Sequence, residues 1–320
     1  MGKLGGMFIR QDETVTMNPN LLIAPRVQAA LQNNAPVVAL ESTLITHGLP
    51  YPTNVETALA MERAVEEAGA TPATIAIING RMTVGLSHDE VDNLGQKPTG
   101  SVRKVSRRDL PISVGLGETG ATTVAGTMII AHMAGIRVFA TGGIGGVHRG
   151  APYDVSADLY ELGRTPVAVV CAGAKSILDL PLTMEVLETQ GVPVIGYGTY
   201  ELPAFYTRSS GIALDACVDT PEGAAQVIRA LFALNLQQGI VFAVPVPEAD
   251  AMSAEAAERA INQATAEAEA QGIHGKAVTP FLLARVAEIT KGESRRANTA
   301  LLINNSRVAA QIALSLSKAN

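Results

Sequence analysis

The chain has 320 residues, of which 47% are hydrophobic and 17% charged, with a formal net charge of −6. This length allows one large domain or two ordinary ones with a substantial core, and the apolar content excludes a disordered protein. The negative charge and the lack of a long basic track argue against a nucleic-acid partner, and no segment has the ~18 apolar residues of a membrane span.

Residues 1–20 lack the apolar core of a secretory signal, so we expect a flexible N-terminal extension there and a cytoplasmic protein. Two cysteines are too few for a disulfide framework, and Cys171 in its apolar run is expected to be a small core residue. No proline- or serine-rich linker interrupts the rest of the chain. We therefore expect a single catalytic domain over residues 21–320.

Short β-branched runs predict strands and amphipathic or alanine-rich runs predict helices, and the two alternate along the chain. In chain order the predicted elements are a strand at Val37–Leu40, a helix at Thr53–Ala68, strands at Ile75–Asn79 and Met82–Leu86, a helix at Ser87–Leu94, a strand at Val102–Ser106, a helix at Gly120–Ala134, a strand at Ile136–Ala140, a helix at Ala157–Leu162, a strand at Val167–Cys171, a helix at Thr183–Thr189, a strand at Val192–Gly196, a helix at Pro221–Leu236, a strand at Ile240–Val244, and helices at Ser253–Gln271, Pro280–Ile289 and Leu301–Leu316.

The Asn79–Gly80 pair between two strand-like runs predicts a tight hairpin. A hairpin joins antiparallel strands, whereas the strand–helix alternation elsewhere favours parallel ones. The fold class predicted is therefore α/β, a three-layer α/β/α sandwich with a mixed central sheet and extra C-terminal helices.

Glu41 follows the first predicted strand and opens the segment ESTLITHG. A carboxyl group at a strand end, beside two hydroxyl residues and near His47, could act as a general acid. A surface glutamate that hydrogen-bonds the next turn is an equally good interpretation, and His47 before a glycine is more typical of a structural histidine.

Lys104 lies in a short basic cluster, Arg103–Lys104 with Arg107–Arg108. Such a cluster suits a small anion such as a phosphate, although a solvated basic edge strand would look the same. Further along, GETGATTV places glycine and threonines before a helix, where backbone amides could bind an anion or simply begin an ordinary helix.

The segment Gly142–Gly146 holds four glycines and is followed by His148. It has neither the Gly-Lys-Ser/Thr ending of a P-loop nor the glycine spacing of a dinucleotide-binding turn, so ATP and nicotinamide are not supported. The glycines indicate positive φ or the close approach of a ligand, which His148 could contact.

Asp154 and Asp158 flank Ser156 in the sequence DVSAD. One or two carboxylates with waters and ligand oxygens suit Mg²⁺ or Mn²⁺. Alternatively, Asp154 or Ser156 only caps the following helix.

Lys175 follows the buried strand-like run and the segment AGA. An apolar setting favours the neutral amine, which can attack an aldehyde. The alternative is a lysine that merely ends a strand.

Taken together, these motifs resemble those of the pseudouridine-5′-phosphate glycosidase family, over nearly the whole chain from about Ile23. The segments that carry the resemblance are VALESTLITHGLPYP, PATIAIINGRMTVGLS, KVSRRDLP, GATTVAGTMIIA, FATGGIGGVHRGA, DVSADL, VVCAGAKSILD, IGYGT, LPAFYTR and TPFLLARVAE.

The resemblance implies reversible conversion of pseudouridine 5′-phosphate and water to ribose 5-phosphate and uracil, with Mn²⁺ (or Mg²⁺) as cofactor and a homotrimeric assembly. It implies that Glu41 is the proton donor, that Lys175 is the nucleophile forming a Schiff base with ring-opened ribose, and that Asp154 binds the metal. The substrate contacts that it implies are Lys104, Val124, His148, Ser156, Ala157, Asp158 and Asn298.

Two other functions are compatible with the predicted fold. One is a ribokinase-like sugar or nucleoside kinase with Asp158 as base, against which the missing phosphate loop counts. The other is a non-catalytic sensor of sugar phosphates, against which the presence of both Glu41 and Lys175 counts.

Overall fold

The computed structural model describes residues 18–98, 100–273 and 275–318. Of the predicted N-terminal extension, residues 1–17 lie outside this described part. No helix among the described residues combines the length and the apolarity that crossing a bilayer requires.

The described residues form fourteen strands and eleven α-helices. The strands are β1 (Leu21–Ile23), β2 (Val37–Leu40), β3 (Thr71–Ile78), β4 (Arg81–Val84), β5 (Arg103–Val105), β6 (Gly120–Thr122), β7 (Val138–Ala140), β8 (Val147–His148), β9 (Ala151–Val155), β10 (Ala168–Cys171), β11 (Leu178–Asp179), β12 (Val194–Tyr197), β13 (Cys217–Val218) and β14 (Ile240–Ala243). The helices are α1 (Pro25–Gln32), α2 (Thr53–Glu67), α3 (His88–Gly95), α4 (Leu110–Gly115), α5 (Val124–Met133), α6 (Ala157–Leu162), α7 (Leu180–Thr189), α8 (Pro221–Ala233), α9 (Ala254–Ala270), α10 (Val278–Ile289) and α11 (Glu293–Ser317).

The central sheet of the described chain is mixed, as predicted. Its strand order is β1-β4-β3-β2-β7-β10-β14-β12-β13. Strand β6 pairs with β3 on one side and with β5 on the other, and so joins both strands to this sheet. The antiparallel pairs are the predicted hairpin β3–β4 and the pair β3–β6, whereas β2, β7, β10, β14 and β12 run parallel. A smaller sheet, β11-β8-β9, stands apart from it.

The helices form the two outer layers of the sandwich. Helix α11 packs on β2, β7 and β10 together with α2 and α8, while α5 packs on β2 and β3 together with α6. Because both faces are covered, β2, β7, β10 and β14 are buried at every position and read as continuous apolar runs. The extra C-terminal helices are α9, α10 and the 25-residue α11.

The sequence placed the start of α5 too early. Gly120–Thr122 is strand β6, since it pairs with β3 and β5, and the helix begins at Val124. Thr123 has extended backbone and caps the helix by accepting a hydrogen bond from the Gly126 amide at 3.3 Å. Helix α2 begins at Thr53 as predicted, and no side chain caps it.

Candidate active site

Three neighbouring strands bring the predicted acid and the predicted nucleophile to one edge of the sheet. Leu40 of β2 and Val170 of β10 both lie beside Ala140 of β7 in the parallel register. Glu41 and Thr141 are therefore the next residues on adjacent strands, and the loop after β10 leads to Lys175. Carboxyl ends of parallel strands meet at one edge, which is where α/β folds place ligands.

A cavity of about 710 Å³ opens at this edge, and all ten residues implied by the resemblance line it. They are Glu41, Lys104, Val124, His148, Asp154, Ser156, Ala157, Asp158, Lys175 and Asn298. Their proximity is a property of the fold, while the role of each residue remains a prediction.

Glu41 is buried, with 8% of its surface exposed, and the Thr141 hydroxyl donates a hydrogen bond to its Oε1. Burial raises the pKa of Glu41; the positive charge of Lys175 and the Thr141 hydrogen bond oppose this rise only in part. The carboxyl group therefore holds its proton at a higher pH than an exposed glutamate, as a proton donor requires.

Lys175 is half-buried and its position is fixed by backbone pairing between two loops. The Ile144 amide donates to the Gly173 carbonyl and the Lys175 amide donates to the Ile144 carbonyl, both at 3.1 Å. Gly173 makes this turn with φ +78°, and a Cβ there would lie 2.5 Å from the Pro203 carbonyl oxygen. The lysine thus faces the cavity, and its charge acts on Glu41.

The glycines of the Gly142–Gly146 segment serve close packing against the protein itself. None of them has a positive φ. A Cβ on Gly145 would lie 2.2 Å from Ser156 Oγ, and one on Gly146 would lie 2.3 Å from Thr183 Oγ1. The expectation of positive φ is wrong here, and the close approach is to side chains of this chain.

Asp158 lines the cavity and also accepts hydrogen bonds that hold the backbone in place. It is 5% exposed, and its two carboxylate oxygens accept hydrogen bonds from the amides of Ala125 (3.0 Å) and Gly145 (2.9 Å). The carboxylate therefore sits at the N-terminus of α5 and joins it to the glycine segment. A group held in this way is poorly placed to act as the base of a kinase.

The basic cluster is only partly available to a ligand. Arg103 forms a bidentate ion pair with Glu118 (2.5 and 2.9 Å) and Arg107 forms one with the buried Glu161 (2.7 and 2.6 Å). Lys104, Arg107 and Arg108 line the cavity, whereas Arg103 is not among its lining residues. The expectation that all four residues form one anion site is therefore wrong.

Asp154 is exposed on β9 and lines the cavity together with His148. Within the described ranges, no group of three His, Cys, Asp or Glu side chains is arranged to hold a metal ion. Burial lowers the pKa of His148, which favours the neutral imidazole, while the charge of Asp154 opposes that shift. One carboxylate completed by water and substrate oxygens suits an Mg²⁺-type ion, so the donor set fits a metal shared with the substrate.

Ser156, not Asp154, caps α6.

Thr141 is the contact of Glu41 that the sequence analysis missed, although it follows a strand in the same way as Glu41. The cavity also has apolar walls contributed by distant segments, including Phe205, Leu283 and Leu302. No local pattern in the sequence distinguishes these residues from ordinary core positions. Cys171 is fully buried as predicted, and burial raises the pKa of its thiol to about 12.

Comparison with known proteins assigns the family. The model of the family described as indigoidine synthase A like protein matches residues 26–315. A pseudouridine-5′-phosphate glycosidase of Clostridium botulinum is 57% identical over 302 residues, covering 94% of this chain and 98% of the relative. One of Hahella chejuensis is 58% identical over 301 residues, covering 93% and 99%.

A solved structure, the prealnumycin C-glycosynthase AlnA in complex with ribulose 5-phosphate, shares the fold. Its TM-score is 0.86 at 40% sequence identity, and the match covers 94% of this chain and 98% of that one. Sequence and structure thus agree over nearly the whole length. The chain belongs to the indigoidine synthase A-like family, which includes its pseudouridine-5′-phosphate glycosidase relatives.

Proposed function

We propose that this chain is a pseudouridine-5′-phosphate glycosidase, a carbon–carbon glycosidic lyase that converts pseudouridine 5′-phosphate and water reversibly to ribose 5-phosphate and uracil. The observation that carries the proposal is the pairing of a buried, readily protonated Glu41 with Lys175 across one cavity. The relatives named above act, by their names, on the same substrate.

The covalent steps are simplest in the direction of synthesis. The neutral amine of Lys175 attacks C1′ of the open-chain aldehyde of ribose 5-phosphate, and the carbonyl oxygen leaves as water with one proton from the amine and one from the Glu41 carboxyl group. The iminium carbon then accepts C5 of uracil, and the C5 proton passes to the Glu41 carboxylate. The bond between C1′ and the amine breaks, the 4′-hydroxyl oxygen bonds to C1′ to close the ring, and the hydroxyl proton passes to the departing amine. Cleavage runs in reverse, with Glu41 returning a proton to C5.

The surroundings of the two groups favour this chemistry. Burial raises the pKa of Glu41, so that the carboxyl group keeps its proton to a higher pH than an exposed glutamate does. Thr141 orients one carboxylate oxygen of Glu41. Two carboxylates flanking a bond, the usual arrangement of O-glycosidases, would be of little use, because the leaving carbon of uracil has no lone pair to protonate.

The phosphate end of the cavity is its basic side. Lys104, Arg107 and Arg108 line the wall there, and the Arg107 guanidinium also pairs with Glu161. Ammonium and guanidinium groups of this kind balance a phosphate dianion. The reacting C1′ would then lie toward Lys175 and Glu41.

We assign the divalent metal, Mn²⁺ or Mg²⁺, to Asp154, with the imidazole of His148 beside it. When bound, such an ion supplies positive charge that holds and polarises substrate oxygens. Asp158 is not assigned to it, since both of its carboxylate oxygens accept backbone hydrogen bonds.

The proposal includes a homotrimer whose subunits each contribute a catalytic domain of residues 21–320. It places the protein in the cytoplasm, where the free thiols of Cys171 and Cys217 would stay reduced. Light scattering of the purified protein measures the assembly directly.

The test uses uracil that carries tritium at C5, because forming the C–C bond removes that hydrogen. Tritium should pass to water only with protein, ribose 5-phosphate and Mn²⁺ together, and a phosphorylated uracil product should appear on anion exchange. Binding of ribose 5-phosphate with no tritium release would overturn the proposal in favour of a sensor. Phosphorylation of ribose or pseudouridine by ATP would favour a kinase.

A further inference from the structure

Arg149 lies in the turn between β8 and β9, next to His148, and is not among the residues that line the cavity. Its guanidinium nonetheless makes five hydrogen bonds. Nη2 donates to the Ser176 carbonyl at 2.9 Å and Nε donates to the Leu178 carbonyl at 3.2 Å. Nη1 and Nη2 reach the Glu258 carboxylate at 2.9 and 3.3 Å, and Nη1 also contacts Asn262 Oδ1 at 3.3 Å.

These contacts join two walls of the cavity to a helix that packs behind a third wall. The β8–β9 hairpin carries His148 and Asp154, and the Ser176 carbonyl belongs to the residue that follows Lys175. Glu258 lies on α9, whose packing partner α10 lines the cavity through Leu283. The backbone pairing between the hairpin and the lysine loop is only two residues long, His148 with Leu178 and Val147 with Asp179.

We infer that Arg149 is a positioning residue that holds the Lys175 loop in place against the hairpin bearing His148 and Asp154. The inference rests on the function proposed above and assigns Arg149 no contact with substrate. A planar guanidinium can bridge two carbonyls and a carboxylate at once, whereas a lysine ammonium is a single compact charge. A shift of roughly 1 Å in a reacting group can slow catalysis about 100-fold, so even a small displacement of the Lys175 loop should slow the reaction.

The variants are Arg149→Met, which removes every contact, and Arg149→Lys, which keeps the charge. Arg259→Met is the matched control, since Arg259 lies one residue beyond Glu258 with a 75% exposed side chain and only a 3.9 Å ion pair to Glu255. Glu258→Gln weakens the link to α9 and leaves the two carbonyl contacts intact.

The measurement is the rate constant at which borohydride traps the Lys175 adduct at saturating ribose 5-phosphate, with the half-saturating concentration measured alongside. We expect Arg149→Met and Arg149→Lys to slow trapping roughly 10- to 100-fold with half-saturation changed by less than about threefold. The rate constant of Arg259→Met should match that of the unmodified protein. The rate constant of Glu258→Gln should lie between those of the unmodified protein and Arg149→Met. Loss of folded protein lowers the amplitude of trapping but leaves its rate constant unchanged. A variant with a lower amplitude and a normal rate constant would therefore show that Arg149 only stabilises the fold.

If Arg149→Met does not fold, Arg149→Lys decides the question. An unchanged rate constant in the folded variant overturns the inference and leaves the proposed function standing. Absence of any adduct in the unmodified protein refutes the proposed function instead, before the variants are compared.

Discussion

Thr141 donates its hydroxyl hydrogen to Oε1 of Glu41, although the two residues are 100 positions apart. They meet because β2 and β7 are parallel neighbours and both residues follow the last paired position, Leu40 with Ala140. The backbone of Thr141 is held in turn by Asn305 of α11, whose Nδ2 donates to the Thr141 carbonyl at 2.9 Å. The residue that hydrogen-bonds Glu41 is therefore held in turn by a helix at the far end of the chain.

Replacing Thr141 with valine should move the alkaline limb of the cleavage pH profile to higher pH. Cleavage needs protonated Glu41, so activity falls as pH rises through the Glu41 pKa. The Thr141 hydrogen bond lowers that pKa against the rise caused by burial, so its removal lets the pKa increase. Thr141→Ser keeps the hydroxyl donor and should leave the alkaline limb at the pH found for the unmodified protein. A limb that stays fixed or moves to lower pH in the valine variant contradicts this assignment.

Lys175→Arg should abolish the covalent adduct and lower turnover by roughly a thousandfold or more. Arginine keeps the positive charge that acts on Glu41 but cannot form a Schiff base at any accessible pH. Borohydride treatment with ribose 5-phosphate, followed by mass spectrometry of the Lys175 peptide, reads out the adduct. Normal turnover by this variant or by Lys175→Ala would exclude the lysine as nucleophile.

The sequence was sufficient to place Glu41 and Lys175 at one edge of the sheet, because strand ends can be recognised from local pattern. Buried β-branched runs identify β2, β7 and β10, and parallel neighbours must expose their following residues along one edge. Glu41 and Lys175 satisfy that rule, and the structure brings them together. The hairpin at Asn79–Gly80 was likewise predicted from a local pattern, and the mixed sheet was predicted from that hairpin.

What could not be predicted depends on partners far away in sequence. The sequence shows Arg107 as one member of a basic cluster, but its guanidinium pairs with Glu161, 54 residues later. Asp158 resembled a possible base, but it accepts an amide hydrogen bond from Ala125, 33 residues earlier. Helix α11 begins at Glu293, before the predicted start at Leu301, and its first two turns carry polar residues, of which Ser294 is nevertheless buried.

Arg107→Met should lower the free energy of unfolding by about 1–2 kcal/mol at neutral pH, since it leaves the buried Glu161 carboxylate with weaker partners. Burial alone would raise the pKa of Glu161, but hydrogen bonds from Arg107 and Thr165 outweigh it and the pKa is lowered. A lowered folded-state pKa stabilises the protein above the unfolded-state pKa, and this contribution is lost as pH falls through the folded-state value.

The difference between the two proteins in urea unfolding should therefore shrink as the pH is lowered into the acid range. Arg108→Met, in which a 75% exposed side chain 3.9 Å from Asp109 is removed, is the control and should have little effect on stability. A difference that grows toward acid pH would show that the stabilisation has another origin.

Gly145→Ala should abolish activity while leaving most of the fold intact. The added Cβ would lie 2.2 Å from Ser156 Oγ and 2.7 Å from Asp158 Oδ2, so the segment must move away from α6 and the Asp158 hydrogen bond must lengthen. Gly150→Ala is a useful comparison, because a Cβ there meets no atom within 4 Å and only its positive φ of +70° is strained. Equal activity of the two alanine variants would contradict the importance of close packing at Gly145.

Asp154→Asn should weaken Mn²⁺ binding without unfolding the protein, since the side chain is exposed on β9 and removing one carboxylate charge lowers affinity for a hard cation. Free Mn²⁺ measured by electron paramagnetic resonance, in the presence of ribose 5-phosphate, gives the affinity independently of turnover. We expect a loss of about 10-fold or more, and an activity that recovers at high Mn²⁺ concentration. Asp179→Asn is the matched control, because Asp179 caps α7 through the Leu182 amide and lies outside the cavity lining. Equal Mn²⁺ affinity of the two variants would remove Asp154 from the metal site.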